Sequence, residues 1–99
     1  MRAYERFLNY VVVNTRSDES SETYPSTTCQ FDLGKVLVEE LKQLGIADAR
    51  MDEFCYVYGS IPATSGYEDK PALGLVAHMD TSPECSGENV KPILHENYD

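Results

Sequence analysis

One pair of residues in this sequence has the types and the spacing to do chemistry. The run Ala72-Leu73-Gly74-Leu75-Val76-Ala77 is uninterrupted and apolar, and it ends on His78-Met79-Asp80. Such a run is the pattern of a strand buried on both faces. In an extended segment, side chains two residues apart leave the same side, about 6.6 Å apart along the strand. His78 and Asp80 are therefore expected to converge at the carboxyl end of that strand, where open α/β sheets bind their ligands. A neutral imidazole is a good zinc donor, and a neighbouring carboxylate fixes its tautomer and raises its basicity. The spacing by itself also suits a hydrogen-bonded structural histidine, because His-x-Asp arises often by chance.

The elements that would position this pair can be read along the chain. Tyr4, Phe7, Leu8, Val11 and Val12 recur at helical spacing, which predicts an amphipathic helix over residues 3–13 packed on a core. The β-branched run Val11-Val12-Val13 is where it should fray or end. Residues 14–26 are polar and aperiodic and predict a long surface loop. A second helix begins near Thr27, with Gln30 completing a capping box and Ser26 as the competing cap. Its apolar stripe is Leu33, Leu37, Val38, Leu41 and Leu44, with Lys35, Glu39, Glu40, Lys42 and Gln43 facing water and Gly45 as a left-handed C-cap. The aromatic and β-branched run 54–58 predicts a strand, and residues 62–71, with two prolines, a turn or loop. Helix, helix, strand, strand implies an α/β architecture.

Composition removes several function classes. The chain has 99 residues, enough for one domain. Eight basic against seventeen acidic side chains give a net charge of −9, which repels phosphate backbones and argues against a nucleic-acid partner. No apolar run approaches the roughly 20 residues that span a bilayer, so no membrane partner is expected. The opening Met-Arg-Ala-Tyr-Glu-Arg has no signal-peptide character, so the cytoplasm is the expected compartment. Cys29, Cys55 and Cys85 form no Cys-x-x-Cys pair and suggest neither a disulfide framework nor a zinc knuckle.

The text around the pair carries a resemblance. Gly74-Leu75-Val76-Ala77-His78-Met79-Asp80-Thr81 resembles the core motif of the M20 family of zinc peptidases. The continuation Ser82-Pro83-Glu84-Cys85-Ser86-Gly87-Glu88-Asn89-Val90, with Glu96-Asn97-Tyr98, is similar to the branch of that family that removes the N-terminal residue from tripeptides. Glu5 to Val11, Pro25-Ser26-Thr27 and Leu44-Gly45 fit the same branch, so the resemblance runs through essentially all 99 residues.

By that resemblance, His78 is a ligand of one Zn2+ in a two-zinc site, and Asp80 is the carboxylate regarded as catalytic, which orients the ligand histidine. The implied fold is the N-terminal portion of an α/β/α catalytic domain with a mixed sheet, occupying residues 1–99 and incomplete. The lid domain and the C-terminal half would be absent. The family's bridging aspartate, paired glutamates, further acidic ligand and second histidine lie further along its chain. The implied substrate is a small peptide, a tripeptide, with the 99 residues inactive by themselves. His95 stands where the family usually carries an apolar residue, and Asn14 where aspartate is common.

Other candidates are weaker. His95 beside Glu96 is expected on the surface, and Cys85, seven residues from His78, is an improbable thiolate ligand for such a site. Glu39 with Glu40, and Glu19 with Glu22, are carboxylate pairs expected on a wet helix face and in a polar loop rather than in a cleft. Two alternatives to the tripeptide-cleaving reading stand: another M20 hydrolase, such as a dipeptidase or a deacylase of acylated amino acids, and a non-catalytic binding module.

Overall fold

The second predicted helix organises what is buried. In the computed structural model, which describes residues 1–98, it runs Gln30–Gln43 (α2) and is preceded by the helix Ala3–Tyr10 (α1). Two short strands follow, Arg50–Met51 (β1) and Val57–Tyr58 (β2), paired antiparallel with Arg50 opposite Tyr58 and Met51 opposite Val57. Two helices and a two-stranded hairpin make a partial α/β arrangement, and no mixed sheet is built among the described residues.

The core lies between α2 and the hairpin. Leu33, Ala49 and Cys55 are its buried apolar residues. Gly34 lets the hairpin come close, since a Cβ there would collide with the Met51 sulfur. Gly45 takes φ +92° and ends the helix as a left-handed cap, as its position after the last apolar turn requires. At the other end the expected capping box does not form: the helix begins at Gln30, with Cys29 rather than Thr27 or Ser26 as its N-cap and no side-chain cap bond. Gln30 Nε2 donates to the side-chain oxygens of Thr27 (3.0 Å) and Ser26 (3.2 Å), while the Thr27 hydroxyl donates to the Arg16 carbonyl at 2.7 Å. Leu44, at the end of the predicted stripe, is exposed.

Helix α1 ends at Tyr10, and Val11 caps it, in keeping with the poor helix propensity of the valine run. Its apolar side is less covered than predicted, with Tyr4 and Phe7 exposed. What docks it is polar: Arg6 and Tyr10 both donate to the Glu40 carboxylate. Glu40 is therefore half-buried and accepting, not a solvated residue of the wet face.

Two strand expectations are corrected. Of the run 54–58, only Val57–Tyr58 is strand, because Cys55 adopts φ 68° and turns the chain. Asp52 builds that turn: its Oδ1 accepts from the amides of Phe54 and Tyr56, both at 2.9 Å, and its own amide donates to the Tyr56 carbonyl at 3.0 Å. Side-chain competition of this kind is what aspartate offers at turns. The larger correction concerns residues 72–77, which form no strand and lie in solvent, with Val76 99% exposed. A strand needs a neighbour to take its backbone hydrogen bonds, and the only two strands described are paired with each other.

That open stretch expands the chain. Its radius of gyration is 16.3 Å, where a compact chain of 100 residues has about 13 Å. The accessible surface is 8315 Å², against about 5,700 Å² expected for a folded protein of this mass. No helix among the described residues is long and apolar enough to cross a membrane.

Candidate functional site

The expected pair is formed. Asp80 Oδ1 lies 3.0 Å from Nδ1 of His78. It forms without the strand that was expected to present it, because residues 78–80 have no regular secondary structure. The ring is open to solvent, 84% exposed at the side chain, and the carboxylate is 40% exposed. With Nδ1 held by the carboxylate, Nε2 is the nitrogen left to face a metal. A metal-bound imidazole is normally held in this way, its second nitrogen donating to a carboxylate that fixes ring and tautomer.

This donor set fits one corner of a zinc site. Zinc takes four ligands in a structural site, or three protein ligands and a water in a catalytic one. Among the described residues no group of three or more histidine, cysteine, aspartate or glutamate side chains is gathered for a metal. His78 can supply one nitrogen and Asp80 its orienting carboxylate, and the other donors must come from elsewhere.

What fixes the pair is a clamp between two loops. Just after Asp80, the Thr81 amide donates to the Thr15 carbonyl at 3.0 Å, and the Ser17 amide donates to the Thr81 carbonyl at 2.9 Å, a parallel bridge centred on Arg16 and Thr81. The Ser17 hydroxyl donates to the same carbonyl at 2.8 Å. Arg16 donates to the Pro83 carbonyl from Nε at 2.8 Å and also from Nη2. Asn14 Oδ1 accepts from the Arg16 amide at 3.1 Å and packs on Gly87, where a Cβ would collide with it. An amide oxygen thus does there what an aspartate oxygen would do. Thr15 is buried, and Gly87 with it.

This clamp was invisible as a site in the sequence. Residues 14–17 read as the start of a polar loop, and backbone pairing across more than sixty residues leaves no periodic signal. The Asn14-x-Arg16 spacing was the one local hint, since asparagine often accepts from the amide two residues on.

The weaker candidates stay apart from the pair. His95 is exposed, as expected of a surface histidine, and Cys85 is an exposed free thiol. Glu39 is exposed, Glu40 serves the contact between helices, and Glu19 and Glu22 lie exposed in the loop. Elsewhere, Asp48 accepts from the Ser60 amide at 2.8 Å and from its hydroxyl, and these bonds, with Arg50 nearby, hold its carboxyl below the usual range. Burial, and then the charge of Asp52, push the Cys55 thiol up.

Shallow hollows mark the surface of the described residues. One of about 450 Å³ lies at the end of α2 between Leu44, Ile46, Ser60 and Ile61, and one of about 420 Å³ lies between Tyr4, Leu94, Glu96 and Asn97. Neither is lined by His78 or Asp80.

Comparison with known proteins extends over the whole of this framework. The chain is 55% identical over 96 residues to peptidase T of Alkaliphilus oremlandii, a match covering 96% of this chain and 24% of that protein. It is 56% identical over 95 residues to peptidase T of Desulfitobacterium hafniense, covering 96% of this chain and 23% of the relative. Against peptidase T of Clostridium perfringens it is 47% identical over 98 residues, covering 99% of this chain and 24% of the relative. No family model matches the chain. Along nearly all its length, then, this chain is similar to peptidase T, and it spans about a quarter of the length of the curated relatives it matches.

Proposed function

We propose that these residues are part of the catalytic domain of a zinc-dependent aminopeptidase that releases the N-terminal residue from tripeptides in the cytoplasm. The observation that carries the reading is the similarity to peptidase T over 96% of the chain at 55% identity, together with the His78–Asp80 pair inside the matched stretch. His78 holds one of two zinc ions through Nε2. Asp80 keeps the imidazole in the tautomer that leaves Nε2 unprotonated. When bound, zinc supplies a Lewis acid that polarises a carbonyl and makes water a better nucleophile near neutral pH.

The experiment is an assay of the full-length protein on di-, tri- and tetrapeptides and on acylated amino acids, with His78→Ala and Asp80→Ala alongside. Tripeptides are the preferred substrates, His78→Ala abolishes turnover, and Asp80→Ala loses at least the roughly 10–100-fold typical of a carboxylate behind a metal-bound histidine. Preference for acylated amino acids, or wild-type hydrolysis by His78→Ala, would overturn the reading.

A further inference from the structure

We propose that Arg16 is a positioning residue for the His78–Asp80 pair, an inference that rests on the metal role proposed above for His78. Residues 71–77 are exposed and belong to no helix or strand, so the chain leading into the pair is not held by a sheet. On the other side, Thr81 and Pro83 are bonded to the loop 15–17.

Arg16 is the centre of that restraint and touches it at three points. Its guanidinium donates twice to the Pro83 carbonyl, three residues beyond Asp80. Its backbone lies in the bridge that holds Thr81, the residue next to Asp80. Its own carbonyl accepts the Thr27 hydroxyl at 2.7 Å, which ties the clamp to the start of α2. A continuous path of hydrogen bonds therefore runs from the helix through Arg16 to the backbone that carries Asp80.

The guanidinium suits this work. Two N–H groups of one rigid planar fork on a single carbonyl fix an orientation, where a lysine ammonium gives one bond on a flexible stem. If the fork is removed, the Pro83 carbonyl turns to water and the segment 81–83 keeps only the bridge bonds and the Ser17 hydroxyl, all of them at Thr81. The carboxylate is then presented to His78 in a spread of positions, and the precision of the imidazole as a metal donor falls with it.

The test uses the full-length protein with Arg16→Ala, Arg16→Lys and His78→Ala. Three readouts are taken: zinc affinity by chelator competition, amide hydrogen exchange over residues 79–84, and kcat and KM on a tripeptide. Arg16→Ala is expected to weaken zinc binding about tenfold, the lower end of what a lost orienting partner costs. Exchange over 79–84 speeds up, kcat falls with KM within twofold, and Arg16→Lys recovers part of each loss. Unchanged zinc affinity and unchanged exchange in Arg16→Ala, beside a loss of zinc in His78→Ala, overturn the role of Arg16 alone. Full zinc retention by His78→Ala overturns the metal role of His78, and this inference with it.

Discussion

Asp80 Oδ1 sits 3.0 Å from His78 Nδ1, and the segments that flank this pair are treated very differently by the fold. Thr81 is locked into a bridge with the loop 15–17, whereas residues 72–77 stand in solvent. The pair is thus anchored from one side only, and this asymmetry sets what substitutions around it do.

Replacing the carboxylate by its amide separates charge from shape. Asp80→Asn keeps an oxygen near Nδ1 but removes the negative charge and allows the amide to present a donor instead. Zinc affinity of the full-length protein should fall about 10–100-fold, while His78→Ala loses the ligand outright. Chelator competition on both variants measures this, and equal affinities in Asp80→Asn and wild type would contradict it.

Stability should depend on α2 and ignore the apolar run. Leu33 is 5% exposed and Leu75 is 90% exposed, so their truncation differs in kind. Leu33→Ala should cost about 2–5 kcal/mol, a cost that a core this small cannot absorb, and helical circular dichroism of the 99-residue chain should collapse. Leu75→Ala should leave the same signal intact. Equal effects of the two substitutions would place residues 72–77 in the core after all.

The unpaired run also makes the isolated chain prone to associate, since apolar residues without strand partners form a template for pairing. Leu75→Lys should reduce light scattering by the 99-residue chain and leave its helix content unchanged. Undiminished scattering in that variant would move the cause elsewhere on the surface.

Asp48 gives a prediction for pH. The Ser60 hydroxyl and amide, with Arg50, lower its pKa below the unfolded value. The folded chain therefore binds fewer protons, and the contribution is present above the ordinary carboxylate range and lost as pH falls through the lowered folded value. Ser60→Ala should move the Asp48 titration upward toward that ordinary range in a carboxyl-detected NMR experiment. An unmoved titration would show that Ser60 is not the cause.

The three thiols should react in order of access. Cys55 is 2% exposed and its thiol is pushed up by burial and by Asp52, whereas Cys85 is exposed. Only the thiolate is the nucleophile, so burial lowers reactivity twice, through access and through ionisation. Alkylation at pH 8 followed by mass spectrometry should label Cys85 before Cys55, and the reverse order would contradict the packing of the hairpin turn.

The sequence by itself determined the features that local rules govern. The apolar stripe and Gly45 located α2, the valine run marked the end of α1, and the His-x-Asp spacing brought His78 and Asp80 together even without a strand beneath them. Each of these depends on residues within a few positions of one another. Tertiary structure decided the rest. The run 72–77 has all the residue preferences of a buried strand, yet a strand exists only where a neighbour takes its backbone bonds, and no residue type records that neighbour. Cys55 sits in a run of strand formers, but Asp52 offers the backbone a turn that competes better. Glu40 reads as a solvated residue until Arg6 and Tyr10 arrive from another helix. The clamp from Asn14, Thr15, Arg16 and Ser17 to Thr81, Pro83 and Gly87 is built largely from backbone groups far apart in the chain, which is why it became visible only when the two loops were seen side by side.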